Sequence, residues 1–254
     1  MEKDYDDKLN IFVNTVIKHN VDVVALQEIM QPINANMCNF KCINAGEIPL
    51  KEGNHGLNII KALASKGEKY NLVWLGFKKS YGKFDEGLAI LTKENIEEIK
   101  VIDLTPFDEY ENWKTRKALG VKIGGEWFYS VHFGWWDSFK HEFEQLKNSI
   151  ENKEKNWIMG DFNSPACERE KGYDLVTANG FYDTYSLAIN KDDGFTASTK
   201  IDGWGEMDNI RNVRIDYIFV TERTKIQSSF TIFNGINEPI ISDHFGILLD
   251  SEVI

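Results

Sequence analysis

Five short segments place polar, chemically able side chains where apolar runs end. Glu28 follows Val-Val-Ala-Leu-Gln, His132 closes Phe-Tyr-Ser-Val, and Asp161 and Asn163 follow Trp-Ile-Met-Gly. Asp216 sits inside Arg-Ile-Asp-Tyr-Ile-Phe, and Asp243 and His244 precede Phe-Gly-Ile-Leu-Leu. Carboxylates of this kind hold a hard divalent cation such as Mg²⁺, or alternatively Mn²⁺, through oxygen. The cation neutralises phosphoryl charge. A carboxylate or His directs a water in line with the leaving group, and another group supplies a proton. Together these are the means of cleaving a phosphate ester. Singly, each residue has an ordinary reading. Gly160-Asp161-Phe162-Asn163 is also turn-forming composition, and a lone Glu or His is more often structural than catalytic. Asp216 resists that reading, because burying an unpaired carboxylate is costly. The joint occurrence at separate strand ends, where side chains are held rigidly, points to a site.

The elements that must position these residues follow from hydrophobic spacing. Leu9, Phe12, Val13, Val16 and Ile17 predict a helix over about residues 6–19, and a strand over 21–26 then delivers Glu28. A second helix follows Asn54, with Leu57, Ile60, Leu63 and Ala64 inward and Gly67 as its stop. Strands are expected at 72–75, 88–92, 119–123 and 128–132, then a helix through Phe139, Phe143, Leu146 and Ile150. A strand at 157–159, a helix near 168–178, and strands at 215–220, 229–233 and 245–249 complete the pattern. Strands outnumber helices and several helices lie between them, which implies an α/β or α+β fold with helix-covered sheets.

Composition narrows the chemistry. The 254 residues, 42% hydrophobic and 27% charged, are ordinary for a globular protein. Only 29 Lys and Arg stand against 40 Asp and Glu, a net charge of -11, and no basic stripe breaks the scatter. That argues against a nucleic-acid partner, which calls for a cationic face. Cys38, Cys42 and Cys167 make neither a disulfide framework nor a zinc pattern and read as ordinary thiols in a reducing compartment. No apolar run approaches the roughly 18 residues needed to span a bilayer, so no membrane partner and a cytoplasmic location are expected.

Taken in order, Leu26-Gln27-Glu28, His132, Gly160-Asp161-Phe162-Asn163, Arg214-Ile215-Asp216-Tyr217 and Ser242-Asp243-His244 resemble the successive motifs of the endonuclease/exonuclease/phosphatase superfamily. The resemblance implies one catalytic domain over residues 1–254, a DNase I-like four-layered α/β/β/α sandwich of two packed sheets flanked by helices. It implies Glu28 as the principal metal ligand and Asp243 as a second carboxylate near the metal. Asp161 matches the residue that orients or deprotonates the attacking water, and Asn163 the one that positions it and binds phosphate. His244 matches the His on the phosphoryl group and Asp216 the carboxylate that orients it. His132 resembles a second His stabilising transition-state charge, with Glu86 expected to fix its tautomer. In members of this superfamily the first strand carries an Asn that helps bind metal or phosphate. Here Met1 stands immediately before the helix that should follow it, so that strand is apparently missing; Asn10 and Asn14 fall inside the helix.

A narrower likeness, to the bacterial maltose 6'-phosphate phosphatases, lies in Asp85-Glu86-Gly87-Leu88-Ala89-Ile90-Leu91, Lys114-Thr115-Arg116-Lys117, Ile201-Asp202-Gly203-Trp204, Phe233-Asn234-Gly235-Ile236 and the ending Ile241 to Gly246. It implies an intracellular Mg²⁺-dependent phosphomonoesterase acting on a small phosphorylated sugar. Trp136 and Trp204, among the loop tryptophans that also include Trp113 and Trp135, are expected to cover the sugar's apolar face. Lys114 and Arg116 are expected to clamp phosphate, with Arg211 and Arg214 as weaker candidates. Two other readings stay open: a nuclease or other phosphodiesterase on the same scaffold, and a catalytically weakened binding protein. Oligomeric state is not legible.

Overall fold

A computed structural model of the chain describes residues 4–150, 153–198 and 212–251. In order, the elements are α1 (Tyr5–Lys18), β1 (Val23–Pro32), β2 (Ile43–Asn44), α2 (His55–Ser65), β3 (Asn71–Ser80), β4 (Phe84–Thr92), β5 (Glu98–Asp103), β6 (Lys117–Ile123), β7 (Glu126–His132), α3 (Trp136–Ser149), β8 (Asn156–Asp161), α4 (Gly172–Ala178), β9 (Tyr182–Asp183), α5 (Thr184–Leu187), β10 (Asn190–Lys191), β11 (Asp216–Val220), β12 (Ile226–Ile232) and β13 (Gly246–Ser251). They form a four-stranded sheet, β1-β4-β3-β2, a six-stranded sheet, β5-β6-β7-β8-β11-β9, and a three-stranded sheet, β10-β12-β13.

The period-two alternation of strand side chains sorts the apolar residues into layers. In β3 and β4, Val73, Leu75, Phe77, Leu88 and Ile90 turn inward against Leu119, Val121 and Ile123 of the six-stranded sheet. On the opposite face, Leu72, Trp74, Ala89 and Leu91 meet Val13 and Val16 of α1 and Leu57, Ile60 and Leu63 of α2. The six-stranded sheet sends Tyr129, Val131, Ile158, Tyr217 and Phe219 outward to Phe139, Phe143 and Leu146 of α3 and Val176 of α4. The result is the expected α/β/β/α sandwich. The third sheet joins the sandwich through Trp157, Met159, Val220 and Ile226, where Val23 and Ala25 of β1 and Leu249 of β13 pack together. The first described element is α1, and among the described residues β1 and β13 each carry a ladder on one side only. Among the described residues, no helix is long and apolar enough to cross a membrane.

Two differences from the sequence reading affect the site: β1 runs on through Glu28 to Pro32 rather than ending at 26, and β4 starts early. Strand β4 begins at Phe84 rather than 88, so Asp85 and Glu86 lie inside a strand, opposite Lys79 and Lys78 of β3. Glu86 pairs with Lys78 across the ladder and Asp85 with Lys51, which lets these residues extend a strand that apolar patterning would end. Strand β5 escaped notice because only Ile102 in it is buried.

Candidate active site

Strand register builds half of the site. Strands β7 and β8 pair in parallel with His132 opposite Asp161, and β8 pairs antiparallel to β11 with Asp161 opposite Asp216. His132, Asp161 and Asp216 therefore stand in one row across three strands. Gly160 makes the row possible. Its φ is 143°, and a Cβ there would lie 2.0 Å from the Val131 carbonyl oxygen, so only glycine fits this approach. The 194–197 segment adds the fourth member. Thr196 Oγ1 accepts from the backbone N–H groups of Ile215 and Asp216, and Ala197 bridges both Val213 and His244.

His244 Nδ1 lies 3.0 and 3.1 Å from the two Asp216 oxygens. Burial opposes charge on this ring, but the hydrogen bond and charge of Asp216, helped by Asp161 and Asp243, outweigh it and push His244 up to about 10. An imidazolium held this way leaves Nε2–H as a donor for an anion. For Asp161, burial and then the Asp216 charge raise the carboxyl well above the usual range. Such proton affinity suits a group that must take a proton from water near neutrality.

His132 behaves oppositely. Burial, then the charges of Arg116, Lys78 and His244, hold it well below the ordinary His value, so it is neutral. Asn163 Nδ2 donates to the Phe133 carbonyl at 2.8 Å and lies 3.3 Å from His132 Nε2. With Nε2 as the acceptor, the ring proton sits on Nδ1, which faces Glu28 Oε1 at 3.9 Å. Asn163 has φ 45°, a left-handed conformation that Asn tolerates, and its N–H donates to Asp161 Oδ1 at 2.7 Å. Asp161 and Asn163 are thus locked to each other.

The four-stranded sheet supplies the other half. A bulge in β1 between Leu26 and Ile29 turns Glu28, at φ 51°, out of the ladder. Gln27 anchors the bulge: its Nε2 donates to Ser130 Oγ at 2.9 Å, and that hydroxyl donates to the Leu26 carbonyl. Glu86 enters from β4, where Gly87 lets the Leu75 carbonyl approach to 1.9 Å from where a Cβ would be. Glu28, Glu86 and His132 each present a ligand atom within 4.8 Å of the others, as do Asp161, Asp216 and His244. Burial and then the Glu86 charge raise the Glu28 carboxyl, although its side chain keeps 59% of its exposure and water screens part of this. Two oxygen donors facing each other at this cost fit a hard divalent cation, which would relieve the repulsion.

The remaining expected residues divide. Asp243 is exposed and accepts from Ser242 Oγ; it is outside both groups, yet near enough for its charge to act on Glu28 and His244. Glu86, expected to orient His132, stands in one group with it and is paired with Lys78 at 2.8 Å. Arg116 is 5% exposed beside the site, while Lys114 is exposed with its ammonium 5.4 Å from the Trp113 ring centre. Trp136 is 39% exposed at the start of α3. Arg214 is taken up elsewhere: it donates to Asp183 at 2.9 Å and lies over the rings of Tyr173, Tyr185 and Tyr217. Trp204, its Ile201-Asp202-Gly203 context and Arg211 lie outside the described residues. Sequence reading missed Lys78, whose signal was a lysine pair closing the apolar run Leu-Val-Trp-Leu-Gly-Phe.

Solved structures share this architecture. An endonuclease/exonuclease/phosphatase family protein from Leptotrichia buccalis C-1013-b is 28% identical, with a TM-score of 0.88 over 100% of this chain and 96% of that one. A mannosyl-6-phosphatase from Bacteroides thetaiotaomicron VPI-5482 is 17% identical, with a TM-score of 0.62 over 96% and 90%. A Neisseria 3' phosphatase bound to a product DNA hairpin is 15% identical, with a TM-score of 0.64 over 97% and 95%. At the last two identities the likeness is one of fold. A search of curated proteins found no match. The model of the Endonuclease/Exonuclease/phosphatase family matches residues 2–244. This protein belongs to that family, whose members are metal-dependent hydrolases with phosphatases among them.

Proposed function

We propose that this protein is a divalent-metal-dependent phosphomonoesterase for a small phosphorylated sugar, with maltose 6'-phosphate as the leading substrate and Mg²⁺ as the ion. The observation that carries this reading is Arg116. It is a 5% exposed guanidinium beside the site, with no carboxylate within ion-pair distance among the described residues, in a chain of net charge -11. A buried cation awaiting an anion, without a basic surface around it, suits a compact phosphate better than a polynucleotide.

In this reading Glu28 would hold the cation with Glu86 or Asp243, and the chemistry the ion would supply is neutralisation of phosphoryl charge. Asp161 takes the proton of the attacking water, which Asn163 aligns. His244, charged and held by Asp216, donates to the phosphoryl group, and neutral His132 adds a further hydrogen bond as charge develops. Arg116 grips phosphate, with Lys114 at the rim, and Trp136 and Trp204 cover the sugar. The fold shared with a mannosyl-6-phosphatase supports a sugar phosphate, and the fold shared with a DNA 3' phosphatase defines the competitor.

A panel of phosphoesters with Mg²⁺ tests the reading. Phosphate should be released from maltose 6'-phosphate, with single- and double-stranded DNA and RNA left intact. Cleavage of polynucleotides without release from sugar phosphates would overturn it. Asp161→Ala and His244→Ala should each abolish release while the protein still folds.

A further inference from the structure

Lys78 is the charged group of the site that none of these roles uses. It is 5% exposed, and a register shift in β3 between Gly76 and Lys78 sets it opposite Glu86. Its ammonium lies 2.8 Å from Glu86 Oε1 and 3.4 Å from the Trp113 carbonyl. Arg116 Nη1 donates to that same carbonyl at 3.0 Å, and Arg116 Nε has no partner among the described residues. Two buried cations therefore converge on one neutral oxygen, and among the described residues the only carboxylate paired with either is Glu86. Glu86 in turn belongs with Glu28 and His132 to a group able to hold a metal. A cation bound by Glu86 would repel the ammonium and compete with it for the same carboxylate.

We propose that Lys78 is an anion-binding residue of the site. It serves as counter-ion to Glu86 while no metal is bound, and joins Arg116 on a phosphate oxygen once a divalent cation takes Glu86. The proposal rests on the reading of the site as one for phosphate esters and deepens it by naming a second phosphate contact. It couples the two ligands: metal arrival releases the group that phosphate needs.

Calorimetry on the full chain tests both halves without turnover. Mg²⁺ alone should bind Lys78→Met about threefold or more tightly than wild type, because a competing charge is gone. Inorganic phosphate, titrated with Mg²⁺ present, should bind Lys78→Met about tenfold more weakly. Weaker Mg²⁺ binding by Lys78→Met, or unchanged phosphate binding, would overturn the proposal and reduce Lys78 to a prop for Glu86. Should Lys78→Met not fold, the wild type carries the test. The Nζ resonance of Lys78, assigned by its loss in Lys78→Arg, should move when Mg²⁺ is added without phosphate; a resonance unmoved at saturation rejects the exchange. A wild type that binds Mg²⁺ but no phosphate would reject the phosphoester reading itself.

Discussion

Replacing Asp216 by Asn should uncouple His244 from its charge. Asp216 supplies the hydrogen bond and the larger part of the attraction that hold His244 at about 10, against burial that favours the neutral ring. Asparagine keeps the shape and removes the charge, so His244 should return to about 6.5 or below. At pH 8 its protonated share then falls from about 99% to roughly 3%. If the imidazolium is the form that meets phosphate, kcat/KM at pH 8 drops about 30-fold beyond any loss at pH 5.5, where both proteins are protonated. Stability should follow the same linkage. A pKa raised by folding stabilises fully below about 6.5, and that contribution fades as pH rises through about 10. Asp216→Asn should therefore destabilise more at pH 6 than at pH 10, by up to about 5 kcal/mol if the whole shift is lost. Ring-nitrogen NMR of the metal-free protein from pH 5 to 10, with pH–rate profiles, measures both effects. A His244 that still titrates above about pH 9 in the variant, or a rate loss equal at both pH values, would refute the reasoning.

Other changes probe the frame. Gly160→Ala puts a Cβ 2.0 Å from the Val131 carbonyl oxygen at φ 143°; it should destabilise by about 3 kcal/mol or more in urea unfolding and disturb the His132–Asp161 row. Asp85, 2% exposed, accepts from Lys51, Gln31 and Tyr110 at 2.7, 2.9 and 2.6 Å. Asp85→Asn should cost about 2–4 kcal/mol at pH 7. Although burial opposes it, the Lys51, Tyr110 and Gln31 bonds hold the Asp85 carboxyl below its ordinary value, so the difference between the proteins should shrink as pH falls below about 4. Glu28→Gln should weaken Mg²⁺ binding by more than about tenfold in calorimetry while leaving the melting temperature of the metal-free protein nearly unchanged.

What the sequence disclosed, it disclosed through apolar periodicity and through residue type at strand ends. The runs ending at His132 and Asp161 and the helix through Phe139 and Phe143 fall where spacing put them, whereas the strand expected to stop before Glu28 runs on to Pro32, with Glu28 at a bulge inside it. Register was hidden, because pairing between strands distant in the chain leaves no local mark. The row of His132, Asp161 and Asp216 therefore emerged only with the sheet. Charged residues inside strands were hidden for a related reason. Lys78, Asp85 and Glu86 look solvated one at a time, and their burial makes sense only through partners distant in the chain: Lys78 with Glu86 across the ladder, and Asp85 with Lys51, Gln31 and Tyr110. Arg214 illustrates the converse: it stands two residues before Asp216 in a motif, yet Asp183 and three tyrosines claim it.

The charge balance of the site ties these elements to one order of events. Among the described residues, Glu28, Glu86, Asp161, Asp216 and Asp243 gather around Lys78 and the charged His244, with Arg116 beside them, and burial and the Asp216 charge push Asp161 towards keeping its proton. Without a cation the carboxylates outnumber the cations, and a phosphate dianion would enter against that excess. In the proposed reaction a divalent ion would offset that excess on the side of Glu28 and Glu86, away from the row of His132, Asp161 and Asp216. The two sheets thus divide the labour. Strands β1 and β4 offer the carboxylates suited to a cation, and β7, β8 and β11 carry His132, Asp161 and Asp216, to which the proposed mechanism gives the proton chemistry together with His244. Gln27 on Ser130 fixes the distance between them, since it is the side-chain link from the β1 bulge to β7. A substrate phosphate bound across that seam would touch both halves at once, so the packing of one sheet on the other sets the geometry of the reaction.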